Sequence, residues 1–320
     1  MPLIALGSGL AVLATKAARR RPVPAQGVQV LAAAGGFAAI STLLGSPITG
    51  AFLLMEASGL GGPTMGLVLL PGLLASGVGA LIFVGLDSLT GLGTFSLAIG
   101  SLPPYTRPDM AQFGWAIVIG LAAALLGPAI LWLCLAVQRY AEKRVMIVLP
   151  LAGVAVAVLT IIYTQATGKP SSNVLFSGQA DIGPLIHNAG SYSVGALLLL
   201  LVCKTIAYGV SRGSFRGGPI FPALFIGAAG GVAMSHLPGL PLVPAVAMGI
   251  GAMTAAVMKL PLTSVLLASL LLLSDAAKVM PLVIVAVVVA YVAVAHIGPR
   301  LATRAAAAAQ QPPAQAAPGE

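Results

Sequence analysis

The amino-acid sequence predicts an all-α, polytopic membrane protein with broken and tilted helices. Of its 320 residues, 58% are hydrophobic and only 7% are charged, whereas roughly a quarter of the residues in a soluble domain are charged. The apolar residues form runs, and several of these runs are shorter than the roughly 20 residues of a full membrane span. A short apolar helix that stops inside a bilayer usually lines a site, because a broken backbone cannot face lipid.

The basic residues also fit a membrane protein. The net charge is +9, and the lysines and arginines stand in short clusters at the ends of apolar segments, which is how a membrane protein sets its orientation. The clusters are Lys16 with Arg19 to Arg21, Arg139 with Lys143 and Arg144, and Arg300 with Arg304. No basic face is interleaved with stacking aromatic residues, so we expect no binding to nucleic acid.

The sequence carries no motif of an ordinary enzyme. It has no Ser–His–Asp grouping, phosphate-binding loop or dinucleotide fingerprint, and its three histidines lack metal-ligand spacing. Cys134 and Cys203 both stand in apolar runs, so we expect buried thiols and no disulfide. We therefore expect neither enzymatic activity nor a metal or other cofactor.

The first half of the chain contains four apolar segments. The first follows Pro2 directly and is about fourteen residues long, so it reads as a half-helix that enters the middle of the membrane. The next two cover 27–40 and a run that ends at Glu56. The fourth, 63–86, is long enough for a full span, and a polar loop follows at 101–109.

The second half contains seven apolar segments and one polar, irregular stretch at 168–190. The apolar segments are 112–137, 146–163, 193–210, 223–234, 243–258, 261–273 and 281–297. Beyond Arg304 the sequence is rich in alanine, glutamine and proline, which is typical of a disordered tail.

The stretch between 210 and 223 is the most informative part of the sequence. Here an apolar run breaks into glycines, serines, arginines and two prolines, then resumes. Pro219 and Pro222 forbid a regular helix between them, but a proline suits the first turn of a new helix. A helix that starts beside Gly217 and Gly218 presents uncapped amides, which attract an anion. The amides of Ile220 and Phe221 are the available donors.

The chain also contains a weak internal repeat, as many transporters do. The matched pairs are Pro2 with Pro222, Gly7 with Gly227, Val12 with Val232, Pro47 with Pro261 and Thr49 with Thr263. The repeat predicts three parts: 1–100 as the C-terminal part of a first copy, 101–298 as a second copy, and 299–320 as a disordered tail. Several membrane segments precede Pro222 but only Met1 precedes Pro2, so we expect most of the first copy to be missing.

At these residues the chain resembles the CLC family of chloride channels and proton-coupled chloride exchangers, from Pro2 to about Ile297. The family motif glycine-x-phenylalanine-x-proline is approximated at 218–222. The family's proline-bearing helix with a terminal glutamate pair is similar to the segment that ends at Glu56, and its late proline-leucine-threonine helix is similar to the one at Pro261. The run after Pro2 is similar to the family's sequence after its gate motif, glycine-x-glutamate-x-proline.

The resemblance implies a CLC-like inverted repeat, chloride as the transported ligand, and a multi-pass protein of a bacterial inner membrane. It also implies a homodimer formed through segments 41–57, 63–86, 261–273 and 281–297. The candidate anion-binding residues are Gly217, Gly218, Ile220, Phe221 and Pro222 on one helix start, and Pro2 and Leu3 on the other. We expect these two helix starts to face each other across the repeat interface.

The sequence also departs from the family pattern. The gate glutamate would lie before Met1, and the family's internal proton-transfer glutamate would fall on Ala57, so we expect no proton coupling by that route. Glu56 is then either a proton-related acid or a structural acid that fixes the end of its helix, and we favour the structural role. Arg212 and Arg216 either attract anions or form a solvated pair at the membrane interface.

Three functions remain open from the sequence alone. The first is CLC-type anion transport, impaired if the N-terminal helices and gate glutamate are lost. The second is a non-conducting membrane subunit that only dimerises. The third, an inverted-repeat transporter of organic solutes, requires polar residues at the middle of the membrane, which the apolar segments do not supply.

Overall fold

The computed structural model describes residues 2–18, 24–59, 63–91, 93, 96–100, 102–215 and 217–310. Within these ranges the regular secondary structure is helical, as predicted. The α-helices are α1 Pro2–Ala18, α2 Ala25–Leu44, α3 Pro47–Ser58, α4 Pro63–Thr90, α5 Met110–Lys143, α6 Val145–Thr167, α7 Ile182–His187, α8 Val194–Phe215, α9 Ile220–Met234, α10 Leu242–Met258, α11 Pro261–Leu272 and α12 Ala276–Gln310.

The lengths of these helices match a multi-pass membrane protein. Among the described residues, six helices are long and apolar enough to cross a membrane, namely α2, α4, α5, α6, α8 and α12. Four further apolar helices, α1, α9, α10 and α11, have apolar stretches of only 10–17 residues. The predicted class, an all-α polytopic protein with interrupted helices, is confirmed.

The chain divides into two compact units. Unit 1 comprises Met1–Thr106 and Leu260–Met280, and unit 2 comprises Arg107–Lys259 and Pro281–Glu320. The predicted parts, 1–100, 101–298 and a disordered tail at 299–320, stay predictions. The helix α12 continues to Gln310, and the alanines at 305–309 favour this extension, since alanine has the highest helix propensity. Residues 311–320 lie outside the described residues.

In unit 1, α2 is the central helix. It crosses α1 at Gly7 and Gly35, where a Cβ on either glycine would overlap the carbonyl oxygen of the other. On α4, Gly72 leaves room for the ring of Phe37, which is 3% exposed. Small residues at helix crossings allow this close approach of backbones, which is typical of membrane proteins.

In unit 2, α9 and α10 form the most buried pair. They cross at Gly227 and Gly249, where again a Cβ on either glycine would overlap the other's carbonyl oxygen. Gly231 lies one turn further along α9 and packs on the backbone at Ala245 and Val246. Gly227 and Gly231 therefore serve the packing of α9 on α10.

Local geometry supports the internal repeat. Both crossings described above join a short helix to the helix that follows it. The following helix then ends at a residue in the left-handed conformation, Gly45 with φ 66° in one case and Lys259 with φ 59° in the other. In both cases a proline, Pro47 or Pro261, starts the next helix two positions later. Two stretches far apart in sequence therefore fold by the same local rules.

Candidate functional site

The helix before the candidate site is longer than the sequence predicts. The apolar run ends at Val210, but α8 continues to Phe215. Gly213 explains the extension, because a Cβ there would lie 2.5 Å from the carbonyl oxygen of Cys134 on α5, so the glycine lets the two helices touch. Both cysteines, Cys134 and Cys203, are free and buried, as predicted.

The start of α9 presents two backbone donors. Pro219 is its N-cap residue, with φ −86° and ψ −21° and no side-chain cap. The first amide of α9 that reaches an acceptor is that of Ala223, which donates to the carbonyl of Pro219 at 3.3 Å. The amides of Ile220 and Phe221 precede this bond and have no acceptor within the helix, and Pro222 has no amide hydrogen.

The loop before α9 is open. Gly217 and Gly218 are exposed, and a Cβ added to either would meet nothing within 4 Å. Neither packing within the described chain nor a left-handed backbone therefore demands glycine here. One turn before the loop, the hydroxyl of Ser214 is buried and has no hydrogen-bond partner in the described part of the chain. Among the described residues, the start of α9 thus combines two amides that lack a helical acceptor with open space beside the preceding glycines.

The Arg212 side chain contacts its own helix, α8. Its guanidinium donates to the hydroxyl of Tyr208 at 3.4 Å and lies 6.0 Å from the centre of that ring. Both predicted roles for Arg212, attracting anions or lying at the interface, stay predictions. Arg216 lies outside the described residues.

Lys204, which lies near α9, was not among the residues predicted from the sequence. This lysine is on α8 and is only 2% exposed. Its ammonium group donates to the carbonyls of Val174 at 3.1 Å, Leu175 at 3.0 Å and Phe176 at 3.2 Å. The signal was present in the sequence, because a lysine inside the apolar run 193–210 is a charged residue within a membrane segment.

Lys204 also touches α9 itself. Its ammonium nitrogen lies 4.8 Å from the centre of the Phe225 ring. Gly178, with φ 78°, lies against the same ring, and a Cβ there would lie 2.5 Å from the Phe225 Cγ. The Phe225 side chain is fully buried. The turn at 174–178, α8 and α9 are therefore joined through Lys204 and Phe225.

The polar stretch at 168–190 is more ordered than its composition predicts. Asn173 is 3% exposed, and its amide group donates to the hydroxyls of Tyr163 at 3.1 Å and Tyr192 at 3.0 Å. Ser172 donates to the carboxylate of Asp181 at 2.9 Å. Short helical turns at Ser171–Asn173 and Gln179–Asp181 connect these contacts. The stretch therefore forms a fixed support for Lys204.

In unit 1, Pro2 and Leu3 begin α1, as the sequence predicts. The Leu3 side chain is 45% exposed. Because α1 and α9 belong to different units, the predicted pairing of their starts stays a prediction.

Glu56 is a helix cap, but for a different helix from the one predicted. One of its carboxylate oxygens accepts from the amide of Leu262 at 2.9 Å. The other accepts from the amide of Thr263 at 2.7 Å and from the Thr263 hydroxyl at 2.6 Å. Glu56 therefore satisfies the first amides of α11 rather than its own helix end, α3. This geometry favours the structural alternative for Glu56.

The chain matches a known protein family, a curated relative and solved structures. A family model described as voltage gated chloride channel matches residues 1–295. The chain is 30% identical over 221 residues to a protein of Escherichia coli O1:K1, YfeO, whose name assigns it provisionally to ion transport. This match covers 66% of the chain and 48% of the relative, so the chain spans about half the length of the curated relatives it matches.

Two solved structures share the fold. A CLC-type fluoride/proton antiporter superimposes with a TM-score of 0.65 at 21% identity, covering 90% of this chain and 68% of that one. A slow cyanobacterial Cl−/H+ antiporter superimposes with a TM-score of 0.61 at 18% identity, covering 96% and 71%. At these identities the likeness concerns the fold.

Proposed function

Because this chain belongs to the voltage-gated chloride channel family, we propose that it moves a small anion across a bacterial inner membrane, past the start of α9. The observation that carries the proposal is the pair of amides on Ile220 and Phe221, which have no acceptor within their short, buried helix and no side-chain cap in the described part of the chain. It occurs within the residues that the family model matches.

The chemistry of a halide favours such a site. A dehydrated anion in a low-dielectric medium costs several kcal/mol, so donors must replace its water. A full charge in direct contact would hold the ion too tightly for release. Backbone amides and the partial charge of a helix start offer roughly 0.3–1 kcal/mol each where exposed, which permits both binding and release.

The proposed substrate is chloride or fluoride. The structural neighbours are named as a fluoride/proton antiporter and a Cl−/H+ antiporter, and both ions are small halides that accept hydrogen bonds from amides. A Cβ on Gly217 or Gly218 would meet nothing within 4 Å in the described chain, so the loop that precedes the two amides is open.

The experiment is anion efflux from liposomes that contain the purified chain. The vesicles are loaded with potassium chloride or potassium fluoride, valinomycin carries potassium, and an ion-selective electrode records the halide released. A proton-sensitive dye in the same vesicles reports any proton movement. Protein-free vesicles give the background. Efflux no faster than this background for both halides would contradict the proposal.

A pair of variants tests the site itself. Phe221→Pro removes one amide donor in the first helical turn, where proline is tolerated. Phe221→Leu keeps the amide and changes only the side chain. Loss of one hydrogen bond to a charged ligand corresponds to about tenfold weaker binding or more. We expect Phe221→Pro to lower halide efflux through this weaker binding, and Phe221→Leu to keep efflux near the wild-type rate. Equal efflux from the two variants would exclude the α9 amides as the anion site.

We also propose that the chain forms a homodimer through 41–57, 63–86, 261–273 and 281–297, as the family resemblance implies. Single cysteines in these segments should crosslink two copies in membranes, whereas cysteines on α6 should not. Crosslinked, folded protein that releases no halide would favour the second candidate function, a non-conducting subunit. A strictly monomeric chain would exclude the dimer.

A further inference from the structure

Lys204 is an unusual charge in unit 2. Two charged side chains among the described residues are buried, Lys204 at 2% exposure and Asp275 at 6%. Asp275 is paired with Lys278 at 2.8 Å. Lys204 has no ion-pair partner in the described residues, and Asp181, the carboxylate whose charge acts on it, lies beyond ion-pair distance. A buried, unpaired cation is costly in a protein interior.

The geometry around Lys204 indicates the charged form. An ammonium group has three N–H donors, whereas a neutral amine has two donors and a lone pair. Three carbonyl oxygens, those of Val174, Leu175 and Phe176, lie within 3.2 Å of the nitrogen. A lone pair would face one of these oxygens unfavourably. The carbonyls satisfy the hydrogen bonds of Lys204 but leave its net charge uncompensated.

The Lys204 ammonium group lies beside α9. The ammonium nitrogen lies 4.8 Å from the centre of the Phe225 ring. Along the axis of α9, Phe225 is about 7.5 Å from Ile220, at a rise of about 1.5 Å per residue. Taken together, the helix rise and the 4.8 Å between the ring and the ammonium nitrogen put an ion held by the first amides of α9 on the order of 12 Å from the charge. The charge would attract the ion without touching it.

We propose that Lys204 supplies a fixed positive charge that raises the affinity of the site at the start of α9 for halide. The inference rests on the proposed function and names a residue that sets the affinity of the proposed site for halide. Unit charges about 12 Å apart, with an effective dielectric constant near 20, change a dissociation constant by about tenfold. Because the charge is set back from the ion, it strengthens binding while release remains possible.

The test measures halide binding by titration calorimetry on the full purified chain, with chloride and with fluoride, beside the efflux assay. Lys204→Met removes the charge and keeps the apolar stem, and we expect about tenfold weaker binding. Lys204→Arg keeps the charge and should bind within about twofold of wild type. If Lys204→Met and the wild-type chain have equal dissociation constants for halide, the inference is overturned.

A control variant separates the effect of the Lys204 charge on halide binding from the effect of the segment that supports Lys204. Asn173→Leu breaks the bonds to Tyr163 and Tyr192 in the segment that supports Lys204, without changing any charge. We expect it to lower the melting temperature and to leave the halide dissociation constant unchanged. If it weakens binding as much as Lys204→Met, then Lys204 acts only by supporting the turn, and the inference is overturned.

A second neutral variant covers the case in which Lys204→Met does not fold. Lys204→Gln removes the charge and keeps an NH2 group that can donate to the carbonyl oxygens of the turn. We expect the same weakening of halide binding, about tenfold, as for Lys204→Met. Halide binding equal to that of the wild-type chain would count against the inference. A wild-type chain that shows neither halide binding nor efflux would instead overturn the proposed function, and this inference with it.

Discussion

The Glu56 carboxylate offers the sharpest test of how unit 1 is held together. It accepts two amide bonds and one hydroxyl bond from the first turn of α11, at 2.6–2.9 Å. Hydrogen bonds to a charged group contribute about 1.5–3 kcal/mol each when buried, and a helix cap contributes about 0.5–2 kcal/mol. Because Glu56 is only half-buried, we expect Glu56→Ala to lower the free energy of unfolding by about 2 kcal/mol.

Two further variants measure how much individual hydrogen bonds contribute to this free energy of unfolding. Glu56→Gln keeps the shape, but its NH2 group faces an amide donor, so we expect a loss of about 1–2 kcal/mol. Thr263→Val removes only the hydroxyl bond and should cost about 1 kcal/mol. The double variant with Glu56→Ala should cost less than the sum of the single losses, because the two side chains share one bond.

Chemical unfolding of the purified chain in detergent micelles, followed by circular dichroism, measures these losses. Hydrogen exchange gives a local measurement, since the amides of Leu262 and Thr263 should exchange faster once Glu56 is replaced. Glu142→Gln is the matched control, because Glu142 accepts a bond from Gln138 on an exposed part of its own helix. If Glu56→Ala is no less stable than Glu142→Gln, and exchange at α11 is unchanged, the capping role is refuted.

Two other predictions concern backbone geometry and packing. Lys259 ends α10 with φ 59°, and a left-handed conformation costs an L-residue about 1–2 kcal/mol. Lys259→Gly should therefore raise the free energy of unfolding by about 1 kcal/mol, and a decrease would contradict this reasoning. Gly227→Ala places a Cβ against the backbone at Gly249, so we expect a loss of about 1–3 kcal/mol in the same assay. Gly230→Ala, whose Cβ would meet only the Leu201 side chain at 4.0 Å, should be nearly neutral. Equal losses for the two alanines would show that the α9–α10 crossing tolerates the methyl group.

Much of the candidate site was predictable, because its signals are local. Pro219 and Pro222 indicate a helix start wherever the chain is placed, since the proline ring fixes its own backbone. The short apolar runs likewise predicted the short helices. The end of α8 was harder to predict. The polar residues 211–215 suggested a loop, but contact between Gly213 and α5 keeps them helical.

Hydropathy and proline act over a few residues at a time, so the residue pattern is enough to establish an all-α membrane protein with interrupted helices. What the two most informative charges bind depends instead on how the helices pack. Glu56 finds its donors 206 and 207 positions along the chain, and Lys204 finds its acceptors 28 to 30 positions back. A buried charge must be satisfied by whatever polar backbone the fold brings to it, and that backbone is known only once the helices are packed.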